Sequence, residues 1–323
     1  MVPRVDVDLS VSLASLRLKN PVLSASGTYG HGLEMSKFVA PAKLGALVGK
    51  TVTLKPRPGN APPRMAETPS GMLNSIGLEN RGIAHYREKV LPTLRDCGTL
   101  VISNIGAETI DDFAALAEQL DGEPVVAALE VYLSCPNIQG GKLPFSTDCR
   151  LAESAIAAVR KRTKKPVFAK LSPNVTSIAE IAKAVEGAGA DGVTAINTLL
   201  GLAVDWRRRK PILSTTFGGL SGPAIKPVAL RMVTECWRAV KIPILAAGGA
   251  RSAEDVLEFL VAGATAVQIG TWNFVDPTAI GRIVDELPGL LASAKVASAG
   301  SLTGTLAAPA PLKFEGVEAA IER

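Results

Sequence analysis

Leu129-Glu-Val-Tyr-Leu-Ser-Cys-Pro-Asn137 decides how this chain is read. Residues 125–133 are nearly all apolar or β-branched, which reads as a buried strand. The run then breaks into polar chemistry at Ser134, Cys135 and Asn137, followed by Gly140 and Gly141. Pro136 stops the strand and fixes the backbone just after the cysteine. A thiol held on a rigid turn at a strand end can be aimed at a ligand. From this stretch alone, a buried structural cysteine reads equally well. The other strand ends shift the balance.

Working outward, the same pattern recurs. Short apolar runs occupy residues 21–25, 45–48, 100–103, 125–131, 166–169, 192–196, 243–247 and 264–269. Helical periodicity fills most gaps, over 110–120, 151–162, 177–188, 226–240, 253–262 and 277–287. Thr109 and Ser252 suit helix N-caps, and Asp276-Pro277 suits a helix start. Strands alternating with helices predict a parallel sheet, and this number of units favours a closed (β/α)8 TIM barrel. Residues 5–18 alternate as a short N-terminal β-hairpin ahead of it. The chain is expected to form one domain over 1–323. The connection 53–80 has little periodicity and many Pro and Gly residues, and a loop that long is usually functional.

Composition removes several classes of function. The 323 residues are 47% hydrophobic, yet no apolar run is long enough to span a membrane. Residues 1–10 carry Arg4, Asp6 and Asp8 with no apolar signal-peptide core. The four cysteines, Cys97, Cys135, Cys149 and Cys236, form no CxxC pair. That argues against a zinc or iron–sulphur site and against a disulfide framework, and it fits a reducing cytoplasm. Aromatics are only 4%, so nucleic-acid binding is not expected. The basic run Arg207-Arg208-Arg209-Lys210 reads as a solvated connection.

Each apolar run ends in chemistry. In chain order come Ser26, Lys50-Thr51, Asn104, Ser134-Cys135, Lys170, Asn197-Thr198, Gly248-Gly249 and Gly270-Thr271. In a barrel these positions converge on the C-terminal face, where such enzymes keep their sites. The glycines after the seventh and eighth runs fall where barrels commonly bind phosphate through backbone N–H groups. The stretch from Gly218 to Gly222 reads as a further flexible donor loop. Together they point to a phosphate-bearing cofactor. No GxxxxGK[ST] and no GxGxxG in a βαβ setting is present, so neither a nucleoside triphosphate nor a directly bound dinucleotide is indicated.

The motifs carry a resemblance. Glu67-Thr-Pro-Ser-Gly-Met-Leu-Asn-Ser-Ile-Gly-Leu-Glu-Asn80, Ser134-Cys-Pro-Asn137, Lys170-Leu-Ser-Pro-Asn174, Ile196-Asn-Thr198 and Gly218-Gly-Leu-Ser-Gly-Pro-Ala-Ile-Lys-Pro227 resemble class 1 dihydroorotate dehydrogenases, most of all the class 1B catalytic subunit. The resemblance runs from about residue 21 to 285. It implies an FMN barrel that oxidises dihydroorotate to orotate in pyrimidine synthesis. It assigns Cys135 as the base that removes the C5 proton and Lys170 as the cation beside the flavin. Ser26, Lys50, Thr51, Asn104, Ile196, Gly222, Gly248, Gly249, Gly270 and Thr271 would surround FMN. Lys50, Asn74, Ser75, Ile76, Gly77, Leu78, Asn137, Asn197 and Thr198 would hold the substrate. A homodimer paired with an FAD and iron–sulphur subunit in a heterotetramer is also implied. One position departs from the family pattern: Tyr132 stands where an asparagine is usual. A rival reading is therefore a diverged FMN barrel acting on another dihydropyrimidine or cyclic imide. A second rival is a flavin-binding scaffold without catalysis.

Overall fold

The computed structural model describes residues 7–133 and 145–307. Ser134, Cys135 and Asn137 lie outside the described residues. Eight parallel strands close into a barrel in sequential order. They are β1 (Val22–Ser24), β2 (Ala46–Val48), β3 (Leu100–Ile105), β4 (Val126–Tyr132), β5 (Val167–Lys170), β6 (Gly192–Ala195), β7 (Ile244–Ala247) and β8 (Ala266–Ile269). Each of the eight apolar runs is thus a strand, and β8 pairs with β1 to close the ring. The fold expected from sequence is present.

Outside the strands pack α1 (Ile110–Asp121), α2 (Cys149–Arg160), α3 (Ile178–Gly187), α4 (Lys226–Ala239), α5 (Ala253–Ala262) and α6 (Ala279–Ser293). Outward strand residues such as Leu129 and Val131 join the helices' buried faces in one large apolar cluster. Thr109 accepts from the Asp112 N–H, and Ser252 forms a capping box with Asp255, as their positions predict. The last helix differs from expectation at both ends. It begins at Ala279 rather than Pro277, because Asp276 turns its carboxylate onto the Thr278 backbone and hydroxyl. It also runs through Pro288, because buried Leu287 and Leu291 hold both sides of the proline against the core.

The barrel interior is closed from below. The hairpin of Val11–Leu13 and Leu16–Leu18 presses Val11, Leu13 and Leu18 into the N-terminal end. There they meet Leu23, Ala46, Val48, Ile102, Ala128, Phe168, Leu245 and Ala266. Phe168 is the one bulky ring in this floor. Gly192 makes room for it: a Cβ there would stand 2.7 Å from the Phe168 ring. The hairpin is therefore a plug, and its apolar alternation is a packing requirement.

The connection 53–80 is not an irregular loop. It contains the hairpin Met65–Thr68 and Gly71–Asn74, which joins Gly218–Ser221 and Leu199–Gly201 in a four-stranded antiparallel sheet. This sheet overlies the C-terminal mouth of the barrel. The stretch starting at Gly218 is likewise a strand of that cover rather than a flexible loop. Its glycines permit close approach, since a Cβ on Gly219 would collide with the Thr198 hydroxyl oxygen. The basic run sits in a small hairpin of Val204–Asp205 and Lys210–Pro211, solvent-exposed, with the Arg207 guanidinium over the Trp206 ring.

Candidate active site

One step above the apolar floor, the inward positions turn polar. Asn104 on β3, Glu130 on β4, Lys170 on β5, Thr194 on β6 and Gln268 on β8 are all buried. They follow floor residues by two positions: Ile102 and Asn104, Ala128 and Glu130, Phe168 and Lys170, Ala266 and Gln268. Period-two alternation points both members of each pair inward.

Buried polar groups must find partners, and these find one another. Asn104 Nδ2 donates to Glu130 Oε1 at 2.7 Å, and Thr194 Oγ1 donates to Glu130 Oε2 at 2.8 Å. Gln268 Nε2 donates to Glu130 Oε2 at 2.5 Å. The Lys170 ammonium stands 3.4 Å from Glu130 Oε1, 3.4 Å from Gln268 Oε1 and 3.1 Å from Ser26 Oγ. Asn104 Oδ1 has no partner among the described residues although it is buried.

Above this layer opens a cavity of about 220 Å³ between the barrel mouth and the cover sheet. The structure brings most expected site residues to it. Ser26, Lys50, Thr51, Lys170, Ile196, Gly222, Gly248, Gly249, Gly270 and Thr271 line it, as do Asn74, Ile76, Gly77, Leu78, Asn197 and Thr198. Two expected residues do not. Ser75 is fully buried just past the strand end at Asn74, does not line the cavity, and its hydroxyl has no partner among the described residues. Asn104 is below the cavity in the polar layer. Cys135 and Asn137 fall outside the described residues.

The segment after the cover hairpin is pinned. Asn60 donates its backbone N–H to the Ile76 carbonyl at 2.9 Å and its amide to the Ser75 carbonyl at 2.8 Å. Gly77 adopts φ 77° against Asn60, where a Cβ would meet that side chain at 2.8 Å. On the opposite wall Gly222, Gly248 and Gly249 all have positive φ. A Cβ on Gly249 would stand 2.8 Å from the Lys226 nitrogen and 2.9 Å from the Gly222 carbonyl oxygen. This wall therefore presents bare backbone, the surface that an anionic phosphate requires. Thr271 Oγ1 and Ser221 Oγ, 2.7 Å apart, tie the wall to the cover sheet.

Three groups of the polar layer were not named as site residues from sequence, although alternation along 125–133 puts Glu130 on the site-facing side with Tyr132 and Ser134. Glu130, Thr194 and Gln268 lie inside apolar runs, and their signal was the alternation that places them inward. Tyr132 also lines the cavity, and its hydroxyl accepts from Asn197 Nδ2 at 2.8 Å. Beside Gly49, the His31 ring lies 5.2 Å from the Tyr86 ring at a 40° tilt, and the Tyr86 hydroxyl is 2.8 Å from Ser103 Oγ. Burial pushes the Tyr86 hydroxyl up to about 12. Burial also holds the His31 imidazole below its ordinary value, with Lys50 acting the same way against Glu34. His31 is thus neutral near pH 7, and Lys50 supplies the positive charge on that wall.

The family model described as dihydroorotate dehydrogenase matches residues 8–291 of this chain. The chain belongs to the dihydroorotate dehydrogenase family. It is 53% identical over 298 residues to the dihydroorotate dehydrogenase B (NAD(+)) catalytic subunit of Trichlorobacter lovleyi, covering 92% of this chain and 98% of that protein. The subunit of the same name from Desulforamulus reducens is 50% identical over 298 residues, covering 92% and 98%. That from Porphyromonas gingivalis is 48% identical over 291 residues, covering 90% and 95%. The matched region of the dihydroorotate dehydrogenase model takes in the whole polar layer and every cavity residue named above. Among the described residues, no helix is long and apolar enough to cross a membrane.

Proposed function

We propose that this chain is the FMN-binding catalytic subunit of a class 1B dihydroorotate dehydrogenase, oxidising dihydroorotate to orotate for pyrimidine biosynthesis. The observation that carries the reading is Lys170. It rises from the barrel's polar layer into a cavity whose far wall is bare glycine backbone. The residues present suit FMN. Gly222, Gly248, Gly249, Gly270 and Thr271 would hold its phosphate side. Ser26, Lys50, Thr51 and Ile196 would hold its ring, and the unpartnered Asn104 Oδ1 beneath offers one further acceptor.

Bound FMN supplies a two-electron acceptor for the hydride leaving C6 of the substrate. The chain's own residues do the rest. Cys135 removes the C5 proton, and Lys170 offsets negative charge gained on the ring. Asn74, Ile76, Gly77, Leu78, Asn197 and Thr198 orient the substrate, with Ser75 supporting from behind. Asn137 and Lys50 complete that shell. The pinning by Asn60 means that this cradle is set before ligand arrives, which lowers the ordering cost of binding.

Electrons then leave to a partner subunit carrying FAD and an iron–sulphur cluster, in a heterotetramer built on a dimer of this chain. The support is that the relatives are themselves named NAD(+)-linked catalytic subunits. The reading places one FMN-binding domain over 1–323, in the cytoplasm.

One observation favours a second reading of substrate. Tyr132 faces the cavity and occupies the Asn197 amide that the family resemblance assigns to substrate. Another dihydropyrimidine or cyclic imide would then be preferred. Anaerobic mixing of the purified protein with dihydroorotate decides between them. Denaturation should release FMN rather than FAD, and dihydroorotate should bleach the bound flavin. A flavin that binds but is bleached only by another cyclic imide would establish the second reading, and a protein that binds no flavin would overturn both.

A further inference from the structure

Glu130 is a fully buried charge inside the barrel that the proposed reaction does not use. Four side chains from four other strands converge on it: Asn104, Lys170, Thr194 and Gln268. The distances are unequal in an informative way. The three neutral donors approach to between 2.5 and 2.8 Å, whereas the one cation stays at 3.4 Å. Charge-assisted N–H to carboxylate bonds normally close to about 2.7–2.9 Å, so this pair is held open.

The geometry shows how. Neutral donors from β3, β6 and β8 occupy the strong acceptor positions on both carboxylate oxygens. Gln268 then turns its own carbonyl oxygen to Lys170, so its amide bridges carboxylate and ammonium. Ser26 takes the nearest contact with the ammonium from the cavity side. Lys170 is steered upward while its counter-charge remains in the layer below.

We propose that Glu130 is a positioning residue which, neutralised mainly by Asn104, Thr194 and Gln268, keeps Lys170 loosely paired and aimed into the cavity, and whose negative charge lowers the reduction potential of the flavin bound there. This deepens the proposed FMN reading and rests on it. The electrostatic sign follows directly. A carboxylate behind Lys170 offsets part of the lysine's positive charge, so a negatively charged reduced ring is stabilised less than by a lone ammonium. Loss of Glu130 charge and loss of Lys170 charge must therefore move the potential in opposite directions.

The test is an anaerobic redox titration of the flavin-loaded protein against a reference dye, read by absorbance. Glu130→Gln keeps size and shape and removes the charge, with one acceptor oxygen replaced by an NH2 group. It is expected to raise the reduced-to-oxidised ratio at fixed poise about tenfold, which is about 30 mV for a two-electron couple. Lys170→Gln should lower the ratio. Glu130→Asp, which retains the charge, should stay near the parent. If the Gln variant does not accumulate as folded protein, Thr194→Val gives a second reading. With one neutral donor gone, the carboxylate can close on Lys170, and the ratio should fall. Equal shifts for Glu130→Gln and Glu130→Asp, a fall with Glu130→Gln, or an unchanged ratio in Thr194→Val would each overturn the proposal. A parent protein that binds no flavin defeats the FMN reading itself, whereas bound, reducible flavin with a ratio indifferent to Glu130 defeats this inference alone.

Discussion

The floor and the upper layer of this barrel interior are made by the same strands, two residues apart, yet they obey opposite rules. On β4 the step is from Ala128 to Glu130, and on β5 from Phe168 to Lys170. The floor is apolar throughout and sealed by the hairpin plug. The upper layer is instead held by hydrogen bonds among its own polar side chains, so each member depends on its neighbours. Both layers are buried, which means that burial alone does not distinguish core from site. The distinction lies in which groups were taken out of water and what partners they have. The floor should govern stability, and the upper layer with its overlying loops should govern chemistry.

The sharpest separation is expected at Cys135, which lies outside the described residues. Cys135→Ala should slow flavin reduction by dihydroorotate by about two to four orders of magnitude, the usual scale for a general base. Bound flavin and unfolding midpoint should stay as in the parent. Stopped-flow absorbance checks the rate, and reduction at the parent rate would make Cys135 a structural thiol.

Next comes the floor. Phe168→Ala should cost about 3–5 kcal/mol of stability, because the space that Gly192 leaves for the ring becomes a cavity. Urea titration of parent and variant with saturating flavin measures it. In the fraction that remains folded, flavin reduction should keep its rate. A variant of parental stability with slowed chemistry would reverse the roles assigned to the two layers.

The smallest effect concerns Tyr132, at the boundary between strand and site. Its hydroxyl engages Asn197, and its ring faces the cavity rather than packing away from it. Tyr132→Asn should tighten orotate binding about ten- to a hundredfold, since a buried polar group left without its partner costs about 1–3 kcal/mol. A flavin-perturbation titration gives the affinities. Equal or weaker binding in the variant would mean that the tyrosine is accommodated without loss.

The contrast between the layers also explains what could be read in advance. All eight strands were legible, since a strand of a parallel barrel is apolar on both faces and stands out from amphipathic helices. Strand-end residues such as Lys50, Lys170 and Gly248 were legible because they interrupt those runs. Alternation put Glu130 on the site-facing side of its strand, but the partners of Glu130, Thr194 and Gln268 were not legible, because a single polar residue inside an apolar run carries no mark of partners that come from other strands. The cover sheet was missed for a different reason. Met65–Thr68 and Gly71–Asn74 are short and partly exposed, and they pair with strands far along the chain, so local alternation was weak. The last helix extends past the 277–287 stretch because burial of Leu287 and Leu291 outweighs the one backbone hydrogen bond lost at Pro288.

The division of labour comes down to Lys170, among the described residues the one charged side chain that links the buried layer to the cavity. Replacing it by glutamine preserves a donor toward Glu130 and removes the cation. The decisive measurement is the rate of flavin bleaching when Lys170→Gln, loaded with FMN, is mixed anaerobically with dihydroorotate. A loss of about 100- to 1000-fold, the scale of one electrostatic stabiliser, is predicted, with the unfolding midpoint close to the parent's. Bleaching at the parental rate would contradict the assignment of chemistry to the upper layer.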